Sequence, residues 1–278
     1  MRAEAPPGAS YISRDRQLSP LEAERSIIPQ ELLGESPPRM IARRSMGPLE
    51  AISSFNREAL SFIPEKLGLY SHPIYRNRDM IPQGNGETIM ISGGLMAPGF
   101  SFDDLSYWLN TRGYRVVKLP FPNMEQPEVR AEMIQESVRE ERKHSFKITY
   151  IGQSKAGYDA YVTPDDIDTI ITLGSPTNFP IELHPFVHNF YGLVSGNGSE
   201  ESLVRKVLTN GYSEALGKVR KVSIIGEYDE IVQGRGNWSG LADEEYSVPT
   251  THFGLSESPQ AYQIIGQVLA SQSEVKAA

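Results

Sequence analysis

The sequence contains no cysteine, and this absence removes several chemistries at once. None of its 278 residues can form a disulfide, act as a thiolate nucleophile or complete a zinc ribbon. No stretch approaches the roughly 20 consecutive apolar residues that span a bilayer. The first residues, with their mixed charges and prolines, lack the apolar core of a signal peptide. These features predict a cytoplasmic protein without a transmembrane segment.

Basic residues are in the minority and are scattered along the chain. Lys and Arg number 27 against 35 Asp and Glu, which gives a net charge of −8. Because a nucleic-acid-binding surface needs a basic patch, no nucleic-acid partner is predicted. A hydrophobic content of 39% is ordinary for a globular protein, and the length suits one large α/β domain or two small ones. Composition leaves the oligomeric state open.

Prolines concentrate in the first part of the chain. Residues 1–45 combine them with mixed charges and few aromatics, so this segment has little apolar surface to bury. We expect an N-terminal extension, either flexible or lying over the body, that caps the body or contacts a partner. Residues 46–278 are expected to form the main domain. We detect no internal repeat in it.

Apolar residues at helical spacing over 48–63 predict a short amphipathic helix that ends at Pro64. A loop is expected from there to Gly86, in which Tyr70 and Ile74–Tyr75 are candidates for an edge strand.

From residue 87 onward, short apolar runs alternate with helical patterns. The runs are typical of strands that are covered on both faces. Strands are predicted over 87–92, 114–119, 147–151, 168–173, 219–225 and 245–248, and helices over 102–111, 127–144, 200–216 and 258–271. Strands that alternate with helices long enough for crossovers predict an α/β fold with a doubly wound, mostly parallel sheet.

The strand over 147–151 runs into Gly152-Gln153-Ser154-Lys155-Ala156. A serine between small residues is typical of a sharp turn from a strand into a helix, which exposes the hydroxyl above the sheet. Gly152 and Ala156 must be small because the residues two before and two after the serine nearly touch. The pattern alone is weak, since Gly and Ser also fill ordinary turns.

Two further polar residues follow later strands. Asp229 comes after the strand over 219–225, and His252 comes after the strand over 245–248. Ligands of open α/β sheets bind at the carboxyl ends of strands, so these residues are expected near Ser154. The neighbouring glutamates and Asp243 remain alternative acids, and an ordinary loop histidine remains the alternative for His252.

These motifs resemble the α/β-hydrolase superfamily, in particular bacterial lipases and esterases, over about residues 87–270. The order Ser, acid, His is the one found in that fold. The matching segments are Gly93-Gly94-Leu95, Phe100 to Leu105, Thr172 to Pro176, Tyr228 to Val232 and Thr251 to Leu255. The chain departs from the family in having Gln153 before the serine, Ala156 after it, and Ser-Gly-Gly at the end of the first strand.

The resemblance implies a serine hydrolase that cleaves a carboxylic ester. Ser154 would be the nucleophile, His252 its base and Asp229 the carboxylate that orients the imidazole. The backbone amides of Leu95 and Lys155 would form the oxyanion hole, with the Lys155 side chain directed to solvent. Neither a cofactor nor a metal is expected.

The substrate is predicted to be a small apolar ester or another acyl compound. Met96, Gln153, Phe179 and Phe186 are expected to contact it, the last two within a lid or pocket segment at about 178–216. An acyltransferase or a thioesterase with the same three residues is the alternative. A binding module without catalysis is a further alternative, since fold does not dictate function.

Overall fold

The computed structural model describes residues 9–11, 40–42, 47–81, 83–95, 97–120, 122–125, 127–162, 166–176, 181–189, 217–233 and 242–274. The strands are β1 (Ser10–Tyr11), β2 (Met40–Ala42), β3 (Thr88–Ser92), β4 (Arg115–Lys118), β5 (Ile148–Gln153), β6 (Thr169–Leu173), β7 (Ile181–Leu183), β8 (Arg220–Gly226), β9 (Val232–Gln233) and β10 (Glu244–Val248). The helices are α1 (Pro48–Ser71), α2 (Pro73–Arg76), α3 (Asp103–Asn110), α4 (Pro127–Arg142), α5 (Lys155–Val162) and α6 (Pro259–Glu274). The helix predicted over 200–216 lies outside the described residues.

The main sheet has seven strands in the order β1-β10-β8-β6-β5-β3-β4. All pairs from β10 to β4 are parallel, and β1 adds a two-residue antiparallel edge. A second sheet has the order β2-β7-β9. The predicted mostly parallel sheet is confirmed, and each of its six predicted strands begins and ends within two residues of its expected position.

Helices cover both faces of the main sheet, which explains the continuous apolar runs of its strands. Tyr150 and Ile170 pack on one face with residues of α4 and α5. Ile151 and Ile171 pack on the opposite face with residues of α3 and α6. The sheet is therefore doubly wound, as predicted. Within the part of the chain that the structure describes, no helix is both long and apolar enough to cross a membrane.

The described parts of the first 45 residues add strands to both sheets. Ser10 pairs with Ser247 at the edge of the main sheet. Met40 pairs with Ile181 in the second sheet. These two short segments therefore lie against the body of the protein.

Helix α1 is longer than predicted and contains Pro64 in its interior. The prediction that Pro64 ends the helix was wrong, and so was the edge strand, because Tyr70 is in α1 and Ile74–Tyr75 is in α2. A proline inside a helix removes one backbone hydrogen bond. The helix nevertheless continues beyond Pro64 to Ser71, and its last turns are stabilised by Leu69, which is fully buried in the core.

The polar side of α1 faces the protein, which reverses the usual arrangement of an amphipathic helix. Ser54 and Glu58 are buried, and Ser61 and Glu65 are half-buried on the same face of the helix. The apolar residues on its outer side are exposed, namely Leu49, Ile52, Leu60, Ile63 and Leu67. The periodicity therefore identifies the helix correctly, but several of its apolar residues face outward, whereas Phe55 and Leu69 pack against the core.

Candidate active site

Ser154 lies in the sharp turn between β5 and α5, with a φ angle of 55°. Residues other than glycine rarely adopt this backbone conformation. It costs on the order of 1–3 kcal/mol and persists where the surrounding structure imposes it. The Ser154 N–H donates to the carbonyl of Leu173 at 2.9 Å, and the Gly157 N–H donates to the Ser154 carbonyl at 3.0 Å. A Cβ atom on Gly152 would come within 2.8 Å of the Ala156 carbonyl oxygen. Gly152 must therefore be small, for the steric reason expected from the sequence.

Asp229 and His252 form a buried pair at the carboxyl ends of β8 and β10. Asp229 Oδ2 lies 2.7 Å from His252 Nδ1. The other carboxylate oxygen of Asp229 accepts the backbone N–H groups of Ile231 and Val232 at 2.9 and 2.8 Å. Asp229 is 8% exposed and His252 is 2% exposed. The carboxylate is therefore fixed by its own loop and directed at one nitrogen of the imidazole.

The environment of His252 favours its protonated form. Burial disfavours the imidazolium, but the charge and hydrogen bond of Asp229, with the charge of Glu58, outweigh it and raise the pKa of His252 above its ordinary value. In the neutral imidazole, the Asp229 carboxylate favours a proton on Nδ1. Nε2 then carries the lone pair that can accept a proton.

The loop after β10 that carries His252 (residues 249–252, the histidine loop) adjoins the turn at Ser154 (the serine turn). Within the described residues, no direct hydrogen bond joins the Ser154 hydroxyl to the His252 ring. Gln153 Nε2 donates to the His252 carbonyl at 2.8 Å. Gly174 follows Leu173, whose carbonyl accepts the Ser154 N–H, and a Cβ atom placed on Gly174 would lie 3.1 Å from His252 Nδ1. Gln153, predicted to contact substrate, thus binds the backbone of the histidine loop.

The turn after β3 passes beside the serine. A Cβ atom on Gly94 would lie 2.6 Å from Ser154 Cβ and 3.1 Å from Ser154 Oγ. The next residue is Leu95, whose amide is one expected oxyanion donor. The second expected oxyanion donor is the amide of Lys155. Lys155 is the first residue of α5, so its N–H has no partner within the helix. Because Gly94 has no side chain, the backbone of this turn can approach the Ser154 hydroxyl closely.

The side chain of Lys155 is buried, and the expectation that it points to solvent was wrong. The residue is 5% exposed, and Nζ lies 2.7 Å from Asn123 Oδ1 and 3.4 Å from Asp159 Oδ1. Asp159, one helical turn further along α5, is fully buried. Burial raises the pKa of Asp159, while the charge of Lys155 acts in the opposite direction. A buried carboxylate four residues away is what draws the ammonium inward.

Asn123 connects this buried pair to the turn after β3. Its Nδ2 donates to Asp159 Oδ2 at 2.6 Å and to the Gly93 carbonyl at 3.2 Å. The Lys155 side chain, which Asn123 also contacts, belongs to the residue directly after Ser154. One polar cluster, Asn123, Lys155 and Asp159, therefore fixes both segments that carry the expected oxyanion donors. The only local signal for this cluster in the sequence is the Lys–Asp spacing of four, since Asn123 meets the pair through tertiary contacts.

Asp243, the alternative acid, lies at the opposite end of the sheet. It precedes β10, and its backbone N–H donates to the Lys221 carbonyl at 2.8 Å. Its carboxylate accepts the Lys221 N–H at 2.8 Å. Of the neighbouring glutamates, Glu230 is engaged by Arg57 at 3.1 Å. Asp229 is therefore the carboxylate that the fold brings to His252.

An apolar cavity of about 480 Å³ lies between α1 and residues 185–189. Phe186, predicted to contact substrate, lines it together with Phe55, at a ring distance of 5.0 Å. Phe55 in turn packs edge-on against Phe253 at 5.8 Å, and Phe253 packs against the His252 ring at 5.7 Å. A row of aromatic rings therefore leads from His252 to the cavity. Met96 and Phe179, the other predicted contacts, lie outside the described residues.

Comparison with solved structures finds the same fold in bacterial lipases and esterases. The mature form of Bacillus licheniformis lipase BlEst2 matches with a TM-score of 0.51 and 13% identity, covering 68% of this chain and 94% of that one. A structure of the metagenome-derived lipolytic enzymes LipS and LipT matches at 0.50 and 13%, covering 70% and 96%. The metagenomic carboxyl esterase MGS0156 matches at 0.50 and 12%, covering 69% and 78%.

The chain therefore has the α/β-hydrolase fold and resembles bacterial lipases and esterases, as its sequence motifs indicated. At this level of identity the likeness defines the fold and leaves the reaction to be argued from the site. No protein-family model and no curated protein matches the sequence.

The buried cluster generates a first prediction. Substituting Asp159→Ala leaves the Lys155 ammonium buried without its carboxylate, so the free energy of unfolding should fall by about 3–5 kcal/mol. Denaturant unfolding measures this directly. The control is Asp103→Ala, which breaks the exposed ion pair with Lys118 and should cost less than about 1 kcal/mol. Equal losses in the two variants would contradict the importance of the cluster.

Proposed function

We propose that this protein is a serine hydrolase that cleaves a carboxylic ester through an acyl-enzyme on Ser154. The observation that carries the proposal is the buried hydrogen bond of 2.7 Å between Asp229 Oδ2 and His252 Nδ1, beside a serine with positive φ. A serine hydroxyl is too weak an acid to attack an ester without a base. The carboxylate holds the imidazole in the tautomer that can serve as that base.

Acylation begins when His252 Nε2 takes the proton of Ser154 Oγ, which attacks the ester carbonyl carbon. The negative charge that develops on the carbonyl oxygen is stabilised by the amides of Leu95 and Lys155, each worth roughly 3 kcal/mol. The imidazolium then gives its proton to the departing alcohol. Water, activated by the same histidine, attacks the acyl-enzyme, releases the carboxylic acid and restores the serine hydroxyl.

Apolar acyl groups are the substrates that the surroundings favour. We assign the acyl chain to the cavity lined by Phe55 and Phe186, because the row of rings from His252 ends there. Apolar surface buried in such a cavity is worth about 0.8 kcal/mol for each methylene group. The preference of the enzyme for the length of the acyl chain should therefore depend mainly on this cavity.

The orienting role of Asp229 is tested by Asp229→Asn. The amide keeps the shape of the side chain but favours the wrong imidazole tautomer, so kcat for an activated ester should fall by about 10⁴-fold. Steady-state hydrolysis of p-nitrophenyl esters gives this value, with circular dichroism to verify folding. Asp243→Asn, at the far end of the sheet, should retain normal turnover. A variant Asp229→Asn with undiminished kcat would contradict the mechanism.

Added alcohols and thiols distinguish hydrolysis from acyl transfer in the same assay. Under the proposal, water remains an acceptor and free acid forms in their presence. Exclusive transfer to the added acceptor would contradict a hydrolase, and faster cleavage of thioesters than of matched oxygen esters would favour a thioesterase.

The acyl cavity generates its own prediction. Substituting Phe186→Ala removes one wall, so the ratio of kcat/KM for octanoyl over acetyl esters should fall by about tenfold. Phe146→Ala is a matched control, because Phe146 and Phe186 are both 47% exposed and Phe146 lies just before β5. An unchanged ratio in Phe186→Ala, or an equal fall in the control, would place the acyl chain elsewhere.

A further inference from the structure

Glu58, on the polar face of α1, contacts two loops, the loop after β8 that carries Asp229 (residues 227–231, the acid loop) and the histidine loop after β10. Glu58 Oε1 accepts the backbone N–H of Glu230, the residue directly after Asp229, at 2.5 Å. Glu58 Oε2 accepts the backbone N–H of His252 itself at 2.9 Å. The residue is 1% exposed. A single buried carboxylate thus joins the two loops through their main chains.

The neighbours of Glu58 on α1 each contact one of these loops. Ser54 and Arg57 bind the Glu230 side chain in the acid loop, and Ser61 and Glu65 bind the hydroxyls of Thr251 and Thr250 in the histidine loop. Glu58 lies between the two sets. The helix therefore lies along both loops, and Glu58 is placed where they meet.

We propose that Glu58 is a positioning residue for the Asp229–His252 pair, which joins the acid loop to the histidine loop and adds a second negative charge near the imidazole. This inference rests on the proposed function. Glu58 does not contact the reacting atoms, and it acts through His252 and the backbone beside Asp229.

The first part of this role is geometric. The separation of Asp229 and His252 depends on two loops that leave different strands, and each loop is free to shift unless something fixes it. Two main-chain hydrogen bonds to one carboxylate restrain both loops relative to α1. A misplacement of about 1 Å at a reacting group can cost 10²-fold in rate, so such a restraint affects kcat.

The second part is electrostatic. Both oxygens of Glu58 accept N–H groups, which is the arrangement of an ionised carboxylate. Burial raises the pKa of Glu58 above its ordinary value, and the charge of Asp229 adds to this, although His252 and the N–H donors favour the ionised form. The negative charge of Glu58 helps to raise the pKa of His252, although Asp229 contributes more. The imidazolium that forms during acylation is therefore supported by two carboxylates.

Among the described residues, the other carboxylates discussed above for α1 and the two loops, Glu65 and Glu230, have partners of their own. Glu230, in the acid loop, is paired with Arg57 of α1. Glu65, on α1, accepts a hydrogen bond from the Thr250 hydroxyl at 2.6 Å. A change in the titration of His252 on removal of Glu58 can therefore be assigned to Glu58 rather than to an unpaired neighbour.

The test uses the full chain with Glu58→Gln, Glu58→Asp and the control Glu65→Gln. Two readouts are needed, namely kcat and KM on p-nitrophenyl esters and the pKa of His252 from NMR of ¹⁵N-histidine-labelled protein. The chain has five histidines, so the His252 signals can be assigned by comparison with His252→Asn. Glu65→Gln removes a carboxylate seven residues further along the same helix, which binds a side chain instead of the main chain.

In Glu58→Gln we expect kcat to fall by about 10- to 100-fold with little change in KM. The pKa of His252 should fall, because the imidazolium loses a nearby negative charge. Glu58→Asp keeps the charge on a shorter stem, so it should lower kcat while preserving the pKa of His252. Glu65 contacts only the histidine loop, through the Thr250 hydroxyl, so Glu65→Gln should change both readouts by less than Glu58→Gln does.

The proposal is overturned if Glu58→Gln keeps both the wild-type kcat and the wild-type pKa of His252, or if Glu65→Gln changes them equally. Should Glu58→Gln fail to fold, Glu58→Asp decides, and an unchanged kcat in that variant would refute the positioning role. The NMR titration needs no turnover. A wild-type protein without esterase activity would therefore refute the proposed function, while a lowered His252 pKa in Glu58→Gln would still support the role of Glu58 as a positioning residue.

Discussion

The hydrogen bond between Asp229 and His252 depends on two strands that end at the same edge of the sheet. Strands β8 and β10 are adjacent and parallel, with Gly226 opposite Val248, so their following loops leave the sheet side by side. Space for the pair comes from Gly174, whose φ is 57° and where an added Cβ would lie 3.0 Å from Asp229 Oδ2. A parallel sheet and one glycine in a left-handed conformation therefore create the geometry on which the proposed chemistry rests.

Buried polar groups then hold the surrounding segments from two sides. The cluster of Asn123, Lys155 and Asp159 joins α5, the helix directly after Ser154, to the turn after β3. On the other side, Glu58 joins the acid loop to the histidine loop by accepting a backbone N–H group from each. Loops carry backbone N–H groups that no sheet or helix satisfies, and these need partners when buried. This requirement explains why the face of α1 that carries Ser54, Glu58 and Ser61 is turned towards the loops, although several apolar residues of the helix are exposed.

The sequence was most informative where burial is simple. Strands buried on both faces appear as apolar runs, so the sheet, and with it the positions of Ser154, Asp229 and His252 at strand ends, could be predicted. The orientation of α1 could not, because periodicity shows that a helix has two faces and leaves open which one meets the protein. The inward direction of Lys155 depends on Asp159 and on Asn123, a residue 32 positions away in the chain. Such tertiary polar contacts leave almost no local pattern.

The proposed mechanism depends most on an activated hydroxyl at Ser154, and active-site labelling tests this most directly. Wild-type protein and Ser154→Ala would be treated with a fluorophosphonate and examined by intact-mass spectrometry. We predict one phosphonyl adduct on the wild type and none on the variant, since only a serine with a functioning base attacks the reagent. An unlabelled wild type, under conditions that label a control hydrolase, would contradict the account, as would an adduct that persists in Ser154→Ala.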